Sequence, residues 1–115
     1  MRAIKSVLLV ALFCSADARA DWPSWRGIDD TGSIAQGSYP PELNASSIVW
    51  KAGLPGKGCS TPIVWKNSVY VTAPVDGKDA VLAFDNSGKQ QWQVVFNNET
   101  AGKHRNGSGC NASPV

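Results

Sequence analysis

Charge imbalance is the first thing this sequence lacks. Lys and Arg number 11 against nine Asp and Glu, a formal net charge of +2. A balance that close gives no electrostatic case for nucleic acid, which needs a basic face. Histidine is almost missing too. His104 stands alone between Lys103 and Arg105, with no second His and no adjacent carboxylate. It is a poor metal ligand or base, and a solvated loop is the plainer reading; contact between that basic cluster and an anionic group is the sharper one. The three cysteines form neither a Cys-x-x-Cys pattern nor a Cys/His pair, which disfavours zinc and thiol catalysis. The apolar run near the start is far too short to span a bilayer, and no second candidate follows it.

What is present is β-forming. Five tryptophans, eleven glycines and seven prolines suit a turn-rich β protein and argue against disorder. From Ser60 to Phe96, four apolar runs rich in Val, Ile, Tyr, Trp, Thr and Phe alternate with short polar breaks. The breaks are Lys66-Asn67-Ser68, Asp76-Gly77-Lys78 and Asn86-Ser87-Gly88-Lys89. No run is long enough for a helix and none has a 3.6-residue period. The stretch reads as a four-stranded antiparallel meander with Gly-bearing turns. Such a sheet has two open edges and two apolar faces, so it is a module rather than a whole protein.

The N-terminus has the three parts of a secretory signal. Arg2 and Lys5 precede an apolar run, Val7 to Phe13, and the segment ends Ala18-Arg19-Ala20. Cleavage is expected between Ala20 and Asp21. Phe13 stands where lipoprotein acylation of Cys14 would need a small residue. The mature chain is therefore expected in the periplasm or outside the cell. Ile28 to Ser47 is loop-like, and Asp29-Asp30 lacks the alternating spacing of a calcium loop. Ile48-Val49-Trp50-Lys51 reads as a lone strand.

The decapeptide Ala83-Phe84-Asp85-Asn86-Ser87-Gly88-Lys89-Gln90-Gln91-Trp92 resembles the tryptophan-docking motif of PQQ-type β-propeller repeats, with the turn before Gly88 one residue shorter than the commonest form. Ser60-Thr61-Pro62-Ile63-Val64 followed by Val69-Tyr70-Val71 resembles the opening of the same blade. Asp21-Trp22-Pro23-Ser24-Trp25-Arg26-Gly27 is similar to the start of secreted bacterial proteins of that group. The resemblance covers essentially all of 21–115. It implies that Ala83 lets a neighbouring blade approach, that Asp85 closes an Asx turn, that Gly88 takes the left-handed position and that Trp92 enters the cleft between blades. Trp22 and Trp25 are expected to pin an N-terminal arm, rather than to form a sugar-stacking platform.

Ala112-Ser113-Pro114-Val115 repeats the blade opening, with Pro114 52 residues after Pro62. The expected organisation is a signal peptide at 1–20, an arm, loop and ring-closing strand at 21–58, a first blade at 59–96, and an inter-blade loop with the start of a second blade at 97–115. A ring needs roughly four to eight blades, so the chain reads as an N-terminal piece of a longer propeller, marginal or partly unfolded in isolation. Signal removal leaves Cys59 and Cys110, each just before a blade opening. A bridge would close a long loop and contribute about 4 kcal/mol in the chain-entropy model. It requires Cα atoms within about 7 Å, which the sequence leaves open.

Every recognisable motif is structural, so the resemblance implies a non-enzymatic exported module that binds or scaffolds, like outer-membrane assembly factors. No cofactor is expected for these residues. The alternative is the N-terminal part of a quinoprotein dehydrogenase oxidising an alcohol or sugar with PQQ and calcium. Its usual adjacent Cys-Cys pair and Glu/Asn/Asp calcium set are not in this sequence. A third reading is a carbohydrate-binding propeller using Trp22, Trp25 or Trp65. The partner, whether protein, small molecule or carbohydrate, is undefined, and fold does not choose among the three.

Overall fold

The computed structural model describes residues 21–34, 42–98 and 110–114. The signal segment with Ala20 and Cys14, the Lys103-His104-Arg105 cluster and Val115 lie outside the described residues. Among the described residues the protein is all-β, built on one four-stranded antiparallel sheet in the order β1-β2-β3-β4. The strands are β1 (Ile63–Trp65), β2 (Ser68–Val75), β3 (Lys78–Asp85) and β4 (Gln90–Asn98). No helix there is long and apolar enough to cross a membrane.

The turns set the register. Lys66 and Asn67 both take positive φ, as do Asp76 and Gly77. Each pair makes a two-residue hairpin loop whose twist matches the strands it joins. Trp65 therefore pairs with Ser68, and Val75 with Lys78. The third connection is longer and is closed by Asp85. β4 runs to Asn98, past the expected end of the blade at Phe96, because the ladder extends beyond an irregularity to pair Lys78 with Asn98.

Alternation sorts the side chains onto two faces. On one, Val71, Ala73, Ala80, Leu82 and Phe84 form the buried cluster, with Val69, Val75 and Ala52 packed against it. Ala52 comes from outside the sheet. It belongs to the segment expected to hold a lone ring-closing strand at 48–51. Among the described residues 48–51 form no strand and have no ladder partner, the strand expected to pair with them being that of a last blade. Instead the segment lies across the sheet face. Its approach to β2 is close at Gly58, where a Cβ would sit 2.6 Å from the Thr72 carbonyl oxygen.

Pro74 is buried in β2 without interrupting the sheet. β1 pairs only with Ser68, Val69 and Tyr70, so its ladder has ended before Pro74 and asks no N–H of it. β4 is the opposite case: an edge strand exposed along its length, uncharged and without proline, which leaves its outer backbone groups open to pairing.

Leu82 is the largest fully buried side chain. Leu82→Ala should cost about 2–5 kcal/mol through lost burial and the cavity left behind, read as a fall in the denaturant midpoint of β-sheet circular dichroism.

Candidate functional site

The residues singled out by the motif gather in three places: the β3–β4 turn, an aromatic row across the sheet, and the edge where residues 110–114 meet the segment before β1.

At the turn, Asp85 is the organiser. Its Oδ1 accepts from the Ser87 amide at 2.8 Å, the Ser87 hydroxyl at 2.6 Å and the Lys89 amide at 3.1 Å. Its Oδ2 accepts from Gln91 Nε2 at 2.6 Å. The Gly88 amide donates to the Asp85 carbonyl, and the Asp85 amide to that of Lys89, both at 3.0 Å. Gly88 has φ of 82°, a conformation that costs other residues strain. A Cβ there would also sit 2.7 Å from the Trp50 ring, so Trp50 lies on the turn. The Ser87 hydroxyl bond is the main cause holding the Asp85 carboxyl below its ordinary value; partial desolvation opposes it, and the two amides and the Lys89 charge assist. A carboxylate with both oxygens engaged by its own turn is a structural acceptor rather than a general base.

In the aromatic row, register aligns Ile63, Tyr70, Ala83 and Trp92 across the four strands. Ala83 is buried, and the Tyr70 and Trp92 rings meet across it at 5.8 Å between centroids, tilted by 46°. Within this sheet the small side chain of Ala83 makes room for the sheet's own aromatics. Trp92 remains 46 % exposed. Alongside lies an apolar cavity of about 540 Å³ lined by Pro23, Ile63, Trp65, Tyr70, Val81 and Pro114. Its volume is that of a ligand site, but the lining lacks the convergent polar groups that orient a ligand.

Two segments from outside the sheet reach this second face. The arm pairs with β1, Trp22 and Val64 exchanging backbone bonds of 2.8 and 2.9 Å. Asp21 Oδ1 accepts from the Lys66 amide at 3.0 Å. The Trp22 ring lies on Gly27, and Ser24 closes the turn between them, its hydroxyl donating to the Gly27 carbonyl at 2.7 Å. Asp30 is taken up by the same hydroxyl, at 2.8 Å. Trp22 thus pins the arm. Trp25 does not: it is 65 % exposed, with the Arg26 guanidinium 5.6 Å from its ring centre.

At the third place, Ser60 substitutes for the strand that β1 no longer provides. Its hydroxyl accepts from the Thr72 amide and donates to the Thr72 carbonyl, both at 3.1 Å. Continued past Ile63, the register would set Pro62 opposite Val71 and Thr61 opposite Thr72, but the Thr61 amide is turned to Ser113 instead. The segment Cys110 to Pro114 docks here. The Thr61 amide donates to Ser113 Oγ at 3.0 Å, the Thr72 hydroxyl to the Ala112 carbonyl at 2.7 Å, and the Cys59 amide to the Cys110 carbonyl at 3.2 Å. The Cys110 thiol is buried and donates to Asp79 Oδ1 at 3.0 Å.

The expected site residues therefore cluster around turns and contacts. Lys89 contributes its amide and its charge to the Asp85 turn. Trp50, Ala52 and Asp21 were not anticipated in their places, and only the motif context of Asp21 hinted at one. Among the described residues no group of three His, Cys, Asp or Glu is arranged to hold a metal. No family model, curated protein or solved structure matches the chain.

Two outcomes test this description. Asp85 is depressed in the folded state, so the stability it contributes is fully present above the ordinary carboxylate value near pH 4 and is lost as pH falls through its lowered folded value. Acid unfolding followed by tryptophan fluorescence should show that loss, and Asp85→Asn should flatten the pH dependence below pH 4 while lowering stability at neutral pH. Ala83→Leu should force the Tyr70 and Trp92 rings apart, costing about 1–3 kcal/mol of overpacking and abolishing their coupled near-ultraviolet dichroism.

Proposed function

We propose that this chain is part of an exported, non-enzymatic PQQ-like β-propeller that acts as a binding or scaffolding module. One observation carries the reading: the Ala112-Ser113-Pro114 repeat of the blade opening lies against the first opening, with Ser113 bonded to Thr61. Successive blades of a propeller place their openings side by side in this way, around a common axis. The two-faced sheet supports it, since each face is covered by chain from outside the meander. Engagement of Asp85 by its own turn supports a structural rather than catalytic motif. The arm beginning at Asp21 anchors the first blade, and the partner binds elsewhere on the assembled ring.

The coding frame past the Val115 codon tests this directly. Further Ala-x-Asp, Gly-Lys-x-x-Trp repeats at roughly blade spacing are the expected result. A stop codon immediately after Val115 would remove the ring. Repeats carrying an adjacent Cys-Cys pair with acidic calcium ligands, together with PQQ-dependent dye reduction by the product, would replace the scaffold with a dehydrogenase.

A further inference from the structure

The two cysteines of the expected mature chain converge on one point of the fold. Cys59 precedes β1 and Cys110 opens the segment that docks beside it, and their backbones share a 3.2 Å hydrogen bond. With standard N–Cα and C=O dimensions, that bond confines the two Cα atoms to within about 7 Å, the outer limit for a disulfide. The neighbouring bonds from Thr61 to Ser113 and from Thr72 to Ala112 hold the two segments side by side. All four strands lie between the cysteines in sequence.

We propose that Cys59 and Cys110 form a disulfide that closes the whole meander into one covalent loop and clamps the second blade opening onto the first. The bridge requires the Cys110 side chain to turn from Asp79, with which its thiol is hydrogen bonded, toward Cys59. Burial fixes the order of events. Cys59 is exposed and Cys110 is buried, so the Cys59 thiolate meets the oxidant first. The oxidant is a disulfide, either small or carried by a protein. Cys59 sulfur attacks it, its S–S bond breaks, and one thiolate leaves. Cys110 then attacks Cys59 sulfur in the mixed disulfide and expels the second thiolate. The two cysteines lose two electrons and two protons, and the oxidant gains them as two thiols. The proposed export supplies an oxidising compartment, but the pairing rests on the fold alone.

The test separates the two. The purified full chain is equilibrated in a glutathione redox buffer, alkylated, and digested without reduction. One peptide pair joining Cys59 to Cys110, two hydrogens lighter than the separate thiol peptides, is expected, with at least about tenfold more bridge in buffer than in urea because the fold raises the effective concentration. In Cys110→Ser, Cys59 should accumulate as a stable glutathione mixed disulfide; in Cys59→Ser, Cys110 should react at least about tenfold more slowly, in keeping with its burial. Alkylation of both cysteines at every redox ratio, separate glutathione adducts on each in the unsubstituted chain, or equal bridging in urea would overturn the pairing. Bridging in this buffer by a chain retained in the cytoplasm would remove the export reading and leave the disulfide standing.

Discussion

A sheet with apolar residues on both faces has to be covered twice, and the rest of this structure follows from that constraint. Four strands joined by tight turns cannot fold over themselves. The cover comes from chain on either side of the meander. Ala52 packs on the Val71–Leu82–Phe84 face, while Trp22, Pro23 and Pro114 are brought to the other face or its edge. Each covering segment is irregular, so its contacts are single residues at defined points. The covers differ in completeness. The first face is dry at Ala73, Ala80 and Leu82, whereas the second keeps an apolar cavity and a half-exposed Trp92.

The strands and turns were legible because they depend on near neighbours. Asp76-Gly77 announces a hairpin by its own φ preferences, and the apolar runs on either side announce the strands. The Asp85 turn was legible for the same reason: every donor to its carboxylate lies within six residues. Trp50 was not. Ile48-Val49-Trp50-Lys51 carries strand-forming residues, yet strand character is realised only where a partner offers a ladder, and local composition says nothing of the partner. Ser60 shows a subtler limit. Its place in the motif was clear, but its reason, a hydroxyl standing in for a missing strand at Thr72, appears only once the short reach of β1 is known. Ala83 looked like an allowance for a neighbouring blade, and within the sheet it is also the gap across which Tyr70 and Trp92 meet.

The same geometry decides where the polar residues of the motif are used. The polar side chains that stand out by motif are spent on backbone groups: Asp21 on Lys66, Ser60 on Thr72, Asp85 on its turn, Ser113 on Thr61. Each satisfies a donor or acceptor that the sheet leaves over at an end, where an unpaired group would be costly. In the propeller we propose, function would belong to a surface assembled from several such sheets.

The pairing of Trp22 with Val64 also has a consequence in time. The arm is made first, yet its partner strand is synthesised long after it, and neither Asp21 nor Trp22 can be satisfied until β1 and the turn at Lys66 exist. The docking of Asp21 and Trp22 must therefore wait for the first hairpin. The contacts that lock the arm down are thus among the last that the first hairpin makes possible.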